Sequence, residues 1–68
     1  MSFGKNPHVA KAEAAEQKAA DAPDAPARQQ AWLEAGRQWE RASEREKNTQ
    51  RKSLYAQRAE DARANAED

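Results

Sequence analysis

Few side chains in this sequence are of the kinds that carry chemistry, and their spacing decides what each could do. His8 is the one histidine. Lys11 and Ala12 stand three and four residues on, so neither a metal ligand nor an acid follows at helical spacing. A lone histidine of that kind reads as a surface residue rather than a base or a ligand. Glu40 with Glu44, and Glu60 with Asp61, are carboxylate pairs. A di-metal site in a helical bundle sets Glu-x-x-His motifs beside such carboxylates, and the sequence has none, so the pairs read as a solvated face. Ser2, Ser43 and Ser53 have no base near them in sequence. Glycine occurs only at positions 4 and 36, which leaves no glycine-rich loop to cradle a phosphate. Cysteine is absent, and with it disulfides and thiolate metal sites. The expectation is a chain that is not an enzyme and takes no cofactor or metal.

Binding is the remaining class. Arg37, Arg41 and Arg45 recur every four residues as a basic ridge that could lie along phosphates. Glu34, Glu40 and Glu44 stand beside it and repel the same backbone. Across the chain twelve basic residues balance twelve acidic ones, which argues against nucleic acid and against an anionic lipid surface. Trp32 and Trp39 belong to a type favoured at binding hot spots. A small chain with few large side chains needs them for folding, however. The expected core is Trp32, Leu33, Trp39, Leu54 and Tyr55.

The elements that position these residues follow from breakers and periodicity. Asn6-Pro7 is a helix start: Asn accepts from free backbone N–H groups and Pro fits the first turn. A first helix over about 7–22 carries alanines at 12, 15, 19 and 22, with Val9 near its start. Pro23 and Pro26, with Asp21 and Asp24, interrupt it. Asp24 is placed to cap a second helix over about 26–47. There Trp32 and Trp39 lie seven residues apart, nearly two turns, so both indoles project from one face. Ala35, Gly36 and Ala42 complete that stripe, and Gly36 leaves space for an indole or a crossing helix. Glu34–Arg37, Arg37–Glu40, Arg41–Glu44 and Glu44–Lys47 are spaced to pair on the outer face. Asn48-Thr49 breaks the pattern and caps a third helix over about 49–66, whose stripe is Tyr55, Ala59, Ala62 and Ala66. The alternative is one continuous helix from Pro26 to the C-terminus, since neither Asn48 nor Thr49 forbids helix. Short connections make neighbours antiparallel. The expected fold is all-α, a small antiparallel three-helix bundle over 7–68 preceded by a flexible arm at 1–6, with Phe3 the one residue able to tie that arm down.

Seventeen of the hydrophobic residues are alanine. A chain of 68 residues makes at most one domain, and area burial barely exceeds ordering entropy at that size. Self-association or a partner is the remaining source of stability once disulfides and thiolate metal sites are gone. No apolar run approaches the roughly 20 residues that span a bilayer, and no signal-peptide core follows Met1. The expected location is cytoplasmic.

The third-helix run Tyr55-Ala56-Gln57-Arg58-Ala59-Glu60-Asp61-Ala62 follows an aromatic-bearing helix, and that follows an alanine-rich one. In this order and length the chain resembles the microtubule-interacting and trafficking (MIT) domains, three-helix units that dock helical peptides. It is similar more loosely to the helical hairpins of tetratricopeptide repeats. The resemblance implies a partner helix lying in a groove beside the third helix. It puts Glu60 at the position of the family's acidic groove residue and Ala56 at that of its groove leucine. The chain departs from the family there, and also at Pro23-Asp24-Ala25-Pro26, where the family has a Gly-Asn-Tyr-like turn. The functional expectation is a small protein–protein interaction module that contacts a helical peptide or a second copy. The competing expectations are a structural homodimer and a nucleic-acid binder acting through the ridge.

Overall fold

A computed structural model describes residues 6–67. The chain is all-α, with α1 at Pro7–Ala20, α2 at Ala25–Arg45 and α3 at Thr49–Glu67. Residues 1–5, and with them Phe3 and most of the expected arm, lie outside the described residues. Asn6 does not belong to an arm. It is the N-cap of α1, its side chain accepts from the His8 N–H, and its Nδ2 donates to the Ala42 carbonyl at 2.9 Å.

Each helix starts where its capping residue stands. Asp24 Oδ1 accepts from the Ala27 N–H at 2.9 Å, with Pro26 in the first turn of α2. Asn48 Oδ1 accepts from the Arg51 N–H at 3.0 Å, so α2 and α3 are separate and the continuous helix does not form. Two ends fall short of expectation. Helix α1 stops at Ala20 with Asp21 as its C-cap, because Pro23 disfavours helix in the residue before it and removes an N–H that another turn would use. Helix α2 stops at Arg45, where Glu46 turns extended with ψ of 131°. Its carboxylate then accepts from the Asn48 N–H and from Arg51 Nε, both at 3.1 Å.

The three helices are antiparallel in sequence order and α2 is central. It packs against α1 along one flank and α3 along the other, while α1 and α3 hardly approach each other. The outline measures 37 × 23 × 12 Å. Three helices side by side at 8–10 Å spacing give about that width, so the bundle is spread into a layer rather than closed into a triangle.

Alanine makes this packing. Ala12, Ala15 and Ala19 of α1, Ala31, Ala35 and Ala42 of α2, and Ala59, Ala62 and Ala66 of α3 are all buried. Trp39 is the one large side chain fully buried, at 1 % exposure. It fills the trough between the flanking helices and touches both. Its ring stacks on Tyr55 of α3 with centroids 5.6 Å apart, the Arg58 guanidinium lies 5.2 Å from its centroid, and its Nε1 donates to Glu16 of α1 at 2.7 Å.

The expected core needs correcting at Leu33 and Leu54. Both are exposed, at 36 % and 47 %. Each lies beside the stripe that meets a neighbouring helix, and a layer has no third wall to cover such a position. Trp32 and Tyr55 are half-buried against the cluster, as is Val9. Gly36 faces α3 rather than an indole: a Cβ built there would lie 3.3 Å from Arg63 Cγ and 3.6 Å from the Ala59 carbonyl oxygen.

Candidate docking faces

Three surfaces bear on function. The first is the outer side of α3, where the family resemblance places Ala56 and Glu60. Four residues apart, they share one strip of the helix. Both are exposed. Glu60 lies 3.9 Å from Arg63, and Arg63 reaches across to Glu40 of α2 at 2.8 Å. The Arg63 stem crosses α2 where Gly36 has no side chain. The strip therefore joins α2 and α3 through an exposed ion-pair network, of a kind that contributes at most about 1 kcal/mol per pair.

The second surface is the basic ridge. Arg37, Arg41 and Arg45 are all exposed, but they are not equivalent. Arg37 is held by Glu34 through Nε at 3.1 Å and Nη2 at 2.7 Å. The expected pairings of Arg37 with Glu40, Arg41 with Glu44 and Glu44 with Lys47 are replaced: Glu40 turns to Arg63, and neither Arg41 nor Arg45 has an ion-pair partner among the described residues.

The third surface was not marked out by the sequence reasoning. A groove of about 420 Å³ runs between α1 and α2. Its walls are largely apolar: Ala15 and Ala22 on α1 and its end, Pro23 in the turn, and Ala27 and Ala31 on α2. Lys18, Asp21 and Glu34 stand at the rim. Helix α1 ends at Ala20, ahead of Pro23, and the alanines at 15, 22, 27 and 31 leave a gap between the two helices that Lys18, Asp21, Gln30 and Glu34 border. Farther along the same two helices is an open cleft of about 520 Å³ lined by His8, Arg41, Glu44 and Arg45. His8 Nδ1 is 3.0 Å from Gln38 Oε1, which fixes the imidazole against α2.

The groove and the cleft lie on one face. Ala27, Glu34 and Arg41 are each seven residues apart, as are Ala31, Gln38 and Arg45, and seven residues return to nearly the same side of a helix. That heptad spacing was the available signal. It is hard to recognise because alanine at 27 and 31 looks like helix filler.

Glu34, at the edge of the groove, has a displaced acidity. A hydrogen bond from Gln38 Nε2, and then those from Arg37, hold its carboxyl below the usual carboxylate range. Each of its oxygens accepts from one of these neighbours, and the lowered value keeps it ionised at neutral pH. Among the described residues no three or more His, Cys, Asp or Glu side chains gather as they would to hold a metal ion. No helix among them is long and apolar enough to cross a membrane.

Compared with protein-family models, curated proteins and solved structures, the chain matches none.

Proposed function

We propose that this protein is a non-enzymatic interaction module that receives a helical segment of another protein. The observation that supports the reading is the groove between α1 and α2. It is a largely apolar concavity lined mainly by alanine and proline, with Lys18, Asp21 and Glu34 at its rim and the Glu34 carboxylate already engaged by two neighbours. A reaction site in such a pocket needs convergent polar groups aimed inward. An alanine-lined trough instead lets a second helix approach closely and lay an apolar face down. The sparse interior supports the same reading, since one tryptophan and a set of alanines leave much of the small chain's stabilising surface for a partner to complete.

The test is position-specific crosslinking in cells that express the chain. A photoreactive residue replaces Ala27 in the groove or, as a comparison, exposed Ala64 on α3. A discrete protein adduct from position 27, absent from position 64 and lost when Ala22→Glu is added, is the expected result. Equal adducts from both positions, or none from position 27, overturn the reading. The structural-homodimer alternative predicts instead that the adduct has twice the chain's mass.

A further inference from the structure

The groove and the cleft together specify more than an apolar anchor. The end formed by Ala15, Ala22, Ala27 and Ala31 is electrically balanced, because Lys18 offsets Asp21 on the α1 side of its rim and Glu34 is paired with Arg37. The other end is not balanced. Arg41 and Arg45 line the cleft against the single carboxylate of Glu44, and among the described residues neither guanidinium is in an ion pair. Fourteen residues separate Ala27 from Arg41, and Ala31 from Arg45, which is about 21 Å along a helix. Resting on the module reading above, we propose that the partner is an amphipathic helix with an acidic end. An apolar side chain of leucine size seats between Ala27 and Ala22. Carboxylates eleven to fourteen residues away on the same face, about 17–21 Å at 1.5 Å per residue, meet Arg41 and Arg45.

Each part of that chemistry has a reason in the groove. Arginine takes a carboxylate bidentately, and two arginines four residues apart present a two-carboxylate receptor along one helical edge. The alanine-lined end has Lys18 as its one cation, offset by Asp21, so it offers no net positive charge to a phosphate. Across the whole chain the charges cancel, so there is no long-range field to gather a polyanion. A helical peptide satisfies both ends at once, whereas a nucleic acid would use only the arginines.

The probes are two fluorescein-labelled, alanine-based peptides of about 18 residues, roughly 27 Å when helical. Each carries one leucine and, eleven and fourteen positions away, two glutamates. In one the leucine comes first and in the other last. Binding to the full-length protein is read by fluorescence anisotropy, and the contact surface by amide shifts in nuclear magnetic resonance. At least one peptide is expected to bind with shifts at Ala22, Ala27, Arg41 and Arg45. Replacing its glutamates by lysine is expected to weaken binding by about tenfold or more, as is Arg41→Glu with Arg45→Glu in the protein, and added salt acts in the same direction. Ala27→Glu blocks the apolar end without touching a buried residue, and Lys47→Glu, outside the groove, leaves affinity unchanged. Circular dichroism confirms that each variant is folded.

If the lysine peptide binds as well as the glutamate peptide, or neither binds, the acidic-helix assignment is wrong. It is also wrong if a single-stranded oligonucleotide shifts the same arginines more strongly than either peptide, or if the groove amides shift on concentrating the protein alone. Failure here alongside a groove-specific crosslink leaves the module intact and removes only the partner's chemistry. Failure of both removes the module.

Discussion

Gly36 sets the distance between α2 and α3, and the effect of filling it depends on which atom must move. A methyl there meets Arg63 Cγ at 3.3 Å, with backbone no closer than 3.6 Å. The Arg63 stem ends in a part-exposed guanidinium held by an exposed pair, so it can swing by the few tenths of an ångström required. Alanine in place of glycine inside a helix gains about 1 kcal/mol. Gly36→Ala should therefore raise stability by roughly 0.5 kcal/mol in urea denaturation, while Gly36→Leu, which drives into Ala59 and Ala62, should lose about 2 kcal/mol or more. A loss on Gly36→Ala would show the crossing to be tighter than the geometry states. The same reasoning separates the large apolar residues. Trp39→Ala removes the single buried anchor along with its Tyr55 stack and Glu16 bond. Its expected cost of about 3–5 kcal/mol is a large part of what a chain this small has to lose. Leu33→Lys and Leu54→Lys should stay within about 0.5 kcal/mol of the parent. Sequence periodicity identified the tryptophan stripe correctly. It could not separate Leu33 from Trp32, because adjacent positions on a helix differ by only 100° and what covers each depends on where the neighbouring helix lies.

Between α2 and α3 the chain reverses over Glu46, Lys47 and Asn48, and a few side chains hold the reversal. Asn48 caps α3, Glu46 ties Asn48 to Arg51, and Ser43 and Lys52 exchange hydrogen bonds across the corner, Ser43 Oγ donating to the Lys52 carbonyl at 3.0 Å and Lys52 Nζ to the Ser43 carbonyl at 2.8 Å. Asn48→Ala should cost about 1 kcal/mol and reduce protection at the Arg51 amide first. The break was legible in Asn48-Thr49 as a cap. Its anchor was not, since Glu46 read as one more outer-face charge; only the extended turn at that residue brings its carboxylate onto Asn48. The corner also carries a pH dependence. The Asn48 N–H, and then Arg51, hold the Glu46 carboxyl below the usual carboxylate range, and Glu34 is held low by Gln38 and Arg37. Both groups are more acidic folded than unfolded. The stability they contribute is whole above the ordinary glutamate value of about 4.3, and it is lost as pH falls below that value through the lower folded ones. Thermal melts should hold steady from pH 7 to about 5 and decline below about 4.3. In Glu34→Gln with Glu46→Gln the decline should be shallower. A double variant with an unchanged acid slope would place the titration elsewhere.

At the scale of the molecule the arrangement has a weak side, and it follows from what joins each flank to α2. The α3 flank has the Tyr55 stack, the Arg63–Glu40 pair, the Ser43–Lys52 exchange and the Gln29 bond to the Ala66 carbonyl. The α1 flank has three alanines and Val9, with polar ties at Glu16–Trp39, Asn6–Ala42 and His8–Gln38. Alanine buries little apolar area, and area sets the stabilisation at about 25 cal/mol per Å². Helix α1 has 14 residues, a length at which an isolated helix is marginal in water, so undocking and melting of α1 are one event. Three helices could be read from prolines, caps and alanine spacing. Their layered placement could not, because periodicity shows which face of a helix is apolar and not how far apart its two neighbours stand; here the Trp39 indole sets that separation. Native-state hydrogen exchange should therefore find a hierarchy. Amides of α2 around Ala35 to Ala42 should exchange only through global unfolding, and those of α1 through a sub-global opening of lower free energy. Glu16→Ala takes the acceptor from the buried indole N–H. It should lower the α1 opening energy by about 1–3 kcal/mol and leave the difference between α3 and α2 unchanged. If α3 amides open before those of α1, or all three helices exchange together, the two flanks are equally bound and the layer has no weak side.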